Sequence, residues 1–138
     1  MPQKPTSAAL ENRLIDFGSA VCDAVRRLPN DHVGSHFSRQ LVRSATSPAA
    51  NYAEARGAES RRDFVHKMQI CLKELRETLV WLRFAGRLTG RNVDVGGLET
   101  ECNELLSIFV QSVKTTKRGE LRPAISSGPT SPKPLRSS

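Results

Sequence analysis

Two pairs of carboxylates stand three residues apart in the sequence, Glu74 with Glu77 and Glu101 with Glu104. On a helix this spacing places both members of a pair on one face, as the carboxylates of a di-iron bundle are placed. A di-iron bundle also needs Glu-x-x-His on two of its helices. The sequence contains no Glu-x-x-His, because a glutamate stands three residues after both Glu74 and Glu101. We therefore expect no metal site and no cofactor.

The residues that could act as nucleophiles or bases are scattered along the chain. The three cysteines are isolated and have no C-x-x-C spacing, so we expect each to be a small buried residue. His32 and His36 flank a glycine, and we expect them in an exposed loop without a third ligand. No glycine-rich phosphate loop, nucleophile elbow or Cys–His arrangement occurs. The sequence thus predicts a protein that is not an enzyme.

Positively charged residues recur at helical spacing between residues 62 and 87, in the third of four segments that we predict to be helical. The three-four spacing from residue 62 gives a line of residues, here called the basic row: Arg62, His66, Gln69, Lys73, Arg76, Val80, Arg83 and Arg87. The row contains no acid, although opposite charges three or four apart stabilise a helix by about 0.2–0.5 kcal/mol per pair. A same-sign ridge suits a phosphate backbone, which releases counterions when it is neutralised. Arg39 and Arg43 of the second helix could extend the row. The alternative to phosphate binding is that the row is only the solvated face of a basic protein.

Composition places these residues in one domain. The chain has 138 residues, 38% of them apolar, and a formal charge of +7. The excess of positive charge falls in residues 35–90 and at the C-terminus. A basic protein of this kind favours an anionic partner. We divide the chain into an N-terminal tail (1–6), a folded unit (7–119) and a basic Pro/Ser-rich tail (120–138). The last segment is predicted to be disordered because it has little apolar surface to bury.

Four segments of the folded unit have apolar residues three and four apart, the spacing of a helix face, and none alternates with period two. The connections are short, so we predict an all-α, antiparallel up-down-up-down four-helix bundle. The third segment opens with Ser60 and Asp63, a capping-box-like S-x-x-D. It is apolar on more than one face. Ile70, Trp81 and Phe84 lie outside its core stripe, and we expect them to form an interface between copies of the chain.

The second segment is predicted to begin near Ser35. It contains Pro48, which removes a helical hydrogen bond and clashes one turn back. We predict a kink there, with Thr46 and Ser47 as candidates to bond the freed backbone. Asn51 and Glu54 are expected to bridge to another helix or subunit, with Arg56 or Arg61 as the partner of Glu54.

No apolar signal region follows Met1, and no apolar run is long enough to cross a membrane. We expect a cytoplasmic protein without a membrane partner and with reduced thiols.

Residues 37–82 carry several motifs in sequence order. A Q-L-x-R-S-A run starts at Gln40 and includes Arg43, and a Ser-x-x-x-Asn-x-x-Glu-Ala run follows from Ser47 to Ala55. Ser60 then precedes the Asp-Phe pair at 63–64, and an E-L-x-E-T-x-x-W-L run covers 74–82. With these motifs the chain resembles the bacterial four-helix-bundle proteins of the 23S ribosomal RNA intervening-sequence type, which include the accessory variability determinant of diversity-generating retroelements.

This resemblance implies a bundle that assembles as a ring, typically a homopentamer, without catalysis. It also implies RNA binding and, by likeness to the retroelement members, a reverse transcriptase as a partner. The alternative is a protein-interaction scaffold with no nucleic-acid role, whose basic row binds an acidic protein or keeps the assembly soluble.

Overall fold

The computed structural model describes residues 6–88 and 94–119. This part of the chain forms four helices and no strand: α1 (Ser7–Val25), α2 (His32–Arg56), α3 (Arg61–Arg87) and α4 (Gly96–Lys117). The predicted all-α class and the number of helices are confirmed. Most of the predicted N-terminal tail, the central part of the α3–α4 connection and the predicted C-terminal tail lie outside the described residues.

Side chains at the helix ends explain where the helices begin. The Thr6 hydroxyl accepts a hydrogen bond from the Ala9 amide at the start of α1, and the Ser60 hydroxyl accepts one from the Asp63 amide at the start of α3. At α2 the Asp31 carboxylate accepts from the Gly34 amide. This cap was not anticipated, and it starts α2 before the predicted position near residue 35.

The earlier start of α2 corrects the prediction for the two histidines. His32 is the first residue of α2 and His36 lies one turn later, so neither belongs to a loop. Both side chains are exposed, as expected.

The helices pack in chain order, with α1 on α2, α2 on α3 and α3 on α4, and α4 closes on α1 through a smaller contact. Contacts across the α2/α3 interface run in opposite directions along the two helices. The Ser44 side chain meets residue 78, the Pro48 carbonyl meets residue 71, and Glu54 meets residue 67. The two helices are therefore antiparallel. The up-down-up-down order of the whole bundle stays a prediction.

Helices α1 and α2 approach each other closely at a glycine. A Cβ atom placed on Gly18 would lie 2.9 Å from the Ala45 carbonyl oxygen, which is too close for any side chain. Gly18 and Ala45 are both buried, so small residues on both helices set the spacing of this pair.

The predicted core stripes form the interior of the bundle. Phe109 of α4 is fully buried and meets the ring of Tyr52 edge-on, with the centroids 5.5 Å apart. Cys71 and Cys102 are buried as expected, and Cys22 is half-buried. Burial raises the pKa of both the Cys71 and the Cys102 thiol to about 12, so these thiols stay protonated and unreactive at neutral pH.

Among the helices described, none combines the length and the apolar character that a membrane span requires.

Candidate nucleic-acid interface

The carboxylate pair on α3 binds an arginine from α2. The Arg43 guanidinium donates to Glu74, at 3.1 Å, and to Glu77. Because the two glutamates are three residues apart, they lie on one face of α3 and reach the same guanidinium. The hydrogen bond to Glu77 raises the pKa of Arg43. The Q-L-x-R and E-L-x-E motifs of the sequence are therefore the two halves of one contact.

The carboxylate pair on α4 is occupied in the same way. Arg13 of α1 donates to Glu101 at 2.6 and 2.7 Å and to Glu104 at 2.6 Å. Hydrogen bonding to Glu101 is the main cause of a raised pKa at Arg13. In both pairs, the two glutamates thus accept hydrogen bonds from the same arginine on a neighbouring helix.

Other polar contacts continue along the α2/α3 interface, and together with the Arg43 cluster they form what we call the polar seam. The buried hydroxyls of Ser44 and Thr78 lie 2.8 Å apart, and Thr78 also donates to the Glu74 carbonyl. One turn further, the Cys71 thiol donates to the Pro48 carbonyl at 3.5 Å. These groups fix the rotation of α3 against α2, because only one rotation of each helix brings them together.

The structure corrects the expected partner of Glu54. Its carboxylate accepts from Lys67 at 3.0 Å, and not from Arg56 or Arg61. Arg56 instead donates to Glu11 of α1 at 2.8 Å.

Asn51 does not bridge to another helix within the described structure. Its side-chain amide donates to the carbonyl and the hydroxyl of Ser47, both in its own helix. The Thr46 hydroxyl donates to the Val42 carbonyl at 2.7 Å. Neither Thr46 nor Ser47 therefore bonds the Ser44 carbonyl, the group that Pro48 leaves without its usual donor. The predicted kink stays a prediction.

The basic row lies on the solvent side of α3. All eight of its residues are exposed. Within the described part of the chain, the side chains of Arg62, Lys73, Arg76 and Arg83 form no ion pair or hydrogen bond. The Arg87 side chain donates only to the Arg83 backbone carbonyl. The row is therefore a line of cations that carry no compensating charge from their own helix.

The acids of α3 are held away from this row. Glu74 and Glu77 bind Arg43 on the α2 side, and the Glu74 side chain is only 12% exposed. Asp63 lies in the first turn, where a negative charge favours the helix dipole. The contrast between the two sides of α3 therefore follows from the polar seam.

The two outlying arginines differ in their surroundings. Arg39 is exposed and has no ion pair with any described residue. Arg43 is bound by two carboxylates that neutralise it, so it contributes little attraction for a phosphate. We retain Arg39 and remove Arg43 from the candidate surface.

The predicted interface residues lie at the edge of α3 that faces α2. Phe84 is 50% exposed and stacks on Phe37 of α2, with centroids 5.2 Å apart. Trp81 meets Phe37 and His36 edge-on, and its indole Nε1 is buried without an acceptor among the described groups. We call these four residues the aromatic cluster. Ile70, three turns earlier, is half-buried on the same edge.

Sequence spacing does not show which charged residues of neighbouring helices pair with each other. Lys67, for example, carries no sequence signal that distinguishes it as the partner of Glu54 from the arginines nearby.

Comparisons with known proteins support the motif resemblance. Residues 10–111 match the family model described as 23S rRNA-intervening sequence protein. The chain is also similar to a crystal structure from Bacteroides thetaiotaomicron, described as a protein with unknown function from the S23 ribosomal protein family. The two are 29% identical with a TM-score of 0.68, and the match covers 79% of this chain and 98% of the other. No curated protein matches the chain.

We predict that Arg43→Ala lowers the free energy of unfolding by about 1–2 kcal/mol, because it leaves the largely buried Glu74 carboxylate unpaired. Chemical denaturation measures the change. The matched control is Arg39→Ala, one turn earlier on the same helix, which should stay within about 0.5 kcal/mol of the wild type. Equal effects of the two substitutions would contradict a structural role for Arg43.

Proposed function

Because the chain belongs to the 23S rRNA-intervening sequence protein family, we propose that it is a non-enzymatic, self-associating four-helix bundle that binds RNA through the basic row. The observation that carries this proposal is the unpaired state of the row. Arg62, Lys73, Arg76 and Arg83 extend into solvent without a partner among the described residues, whereas the acids of the same helix are bound or lie elsewhere.

The geometry favours phosphate contacts over the recognition of bases. From Arg62 to Arg87 the row spans 25 residue steps, or roughly 38 Å of helix, with a cation at intervals along it. The exposed aromatic ring nearest to the row, Phe84, stacks on Phe37 and belongs to the aromatic cluster. Binding should therefore depend strongly on salt and weakly on sequence.

The aromatic cluster supports self-association. Phe84 is half-exposed, which is unusual for a core residue. The buried Trp81 indole nitrogen has no hydrogen-bond acceptor within the described structure, although buried donors in a folded core are normally paired. Aromatic residues at a surface are common anchors of protein interfaces. We assign the cluster and Ile70 to an interface between copies of the chain. The homopentameric ring and a reverse transcriptase partner remain predictions of the family resemblance, and the proposal places the protein in the cytoplasm.

The double substitution Arg76→Glu/Arg83→Glu should weaken RNA binding by at least about tenfold near 100 mM salt. It should also reduce the slope of log K against log salt by about 2, because two phosphate contacts are lost. Fluorescence anisotropy with labelled RNA measures both quantities over a salt series.

Its matched control is Arg26→Glu/Arg27→Glu, which reverses two exposed charges at the end of α1. This control should bind nearly as well as the wild type. A salt-independent affinity, or equal losses in the two variants, would contradict the proposal and favour an acidic protein as the partner of the row.

Phe84→Glu should reduce the molar mass in solution toward the 15.2 kDa of one chain, because it places a charge in the proposed apolar interface. Light scattering coupled to size-exclusion chromatography measures the mass. The control Ile15→Glu alters a side chain of α1 that is similarly exposed, at 47%, and should leave the wild-type mass unchanged. A monomeric wild type, or an unchanged mass for Phe84→Glu, would remove the interface.

A further inference from the structure

One end of the bundle, where α3 begins and α4 ends, collects exposed cations from both helices. Four of them form what we call the basic end: Arg61, Arg62, Lys114 and Lys117. The fold brings these two helix ends together, since the Arg61 Nη1 atom lies 3.4 Å from the position that a Cβ on Gly119 would take. In the sequence the two arginines are more than fifty positions away from the two lysines. The lysines also lie in a segment, residues 91–118, that carries no net charge.

The nearest acids in sequence, Glu59 and Asp63, flank the two arginines, but neither forms an ion pair with them among the described residues. Glu54 binds Lys67 and Glu11 binds Arg56, so each of these acids is matched by a cation outside the basic end. The acids of α4 that lie within the described residues, Glu99, Glu101 and Glu104, stand in its first half. The last turn of α4 therefore contributes only positive charge.

Helix dipoles explain the lysines but not the arginines. Lys114 and Lys117 lie in the last turn of α4, where a cation interacts favourably with the negative end of the helix dipole. Arg61 and Arg62 are the first two residues of α3, where the dipole is positive and a cation is disfavoured. Neither arginine has an ion pair within the described structure. Their position is unfavourable for the isolated helix and suits an anion bound from outside.

We propose that a nucleic-acid phosphate backbone contacts the basic end as well as the basic row, so that its path turns from the side of α3 on to the end of α4. Arg62 belongs to both surfaces and lies at the turn. This inference rests on the proposed function, since it concerns the same ligand. Duplex and single-stranded RNA share the phosphate chemistry, and the experiment includes both.

The test uses the full chain with Lys114→Gln/Lys117→Gln and, separately, with Arg61→Gln. Anisotropy titrations use one labelled RNA of about 30 nucleotides, single-stranded in one arm and annealed to its complement in the other. In at least one arm, the double variant should bind several-fold more weakly, with a salt slope lower by about 2, and Arg61→Gln should lower the slope by about 1. Arg26→Gln/Arg27→Gln, which removes two cations at the other end of the bundle, should leave both quantities unchanged.

Thermal unfolding separates binding from stability. Arg61→Gln removes a cation that the dipole of α3 disfavours, so its melting temperature should equal or exceed that of the wild type while its affinity falls. A merely structural role would move stability and affinity in the same direction. If the end variants keep wild-type affinity and slope in both arms while Arg76→Glu/Arg83→Glu loses binding, this inference is overturned and the basic row stands. If Arg76→Glu/Arg83→Glu also binds like the wild type, the proposed function fails with it.

Discussion

An arginine held between two glutamates on the neighbouring helix is the contact on which the rest of the structure depends. Arg43 binds Glu74 and Glu77, and it thereby fixes which side of α3 faces α2. The buried Ser44–Thr78 contact lies beside it and requires the same rotation. Since Glu74 and Glu77 are directed to this interface, the opposite side of α3 is left with cations. The basic row is thus a consequence of how the two helices are joined.

The same rotation divides α3 into surfaces with different roles. Its core side packs against the other helices, and its α2 edge carries the polar seam and ends at the aromatic cluster around Trp81 and Phe84. Its solvent side carries the basic row. Self-association through the aromatic edge would cover a side of α3 next to the row, and the two surfaces adjoin at Phe84. A ring built in this way would repeat the row on each subunit.

Features that depend on local sequence were predictable, and features that depend on helix rotation were not. Apolar spacing gave the four helices, and Ser60 with Asp63 marked the start of α3, because these signals act within a few residues. The partners of Arg43 and Glu54 lie on another helix, and their choice depends on packing that sequence spacing does not encode. The Asp31 cap was missed because His32 and His36 beside Gly34 suggested a loop. The basic end was missed because the charges of residues 91–118 cancel in sequence, although the acids of α4 lie in its first half and its cations in its last turn.

We propose that one side of α3 meets RNA while the other is committed to α2. Two lysines of this helix report on the two sides, since Lys73 belongs to the exposed row and Lys67 binds Glu54. Reductive methylation with and without bound RNA, read by mass spectrometry, measures the accessibility of each amine. We expect RNA to protect Lys73 and to leave the modification of Lys67 unchanged. Bound RNA that leaves Lys73 fully reactive, or that protects Lys67 instead, would contradict this proposal.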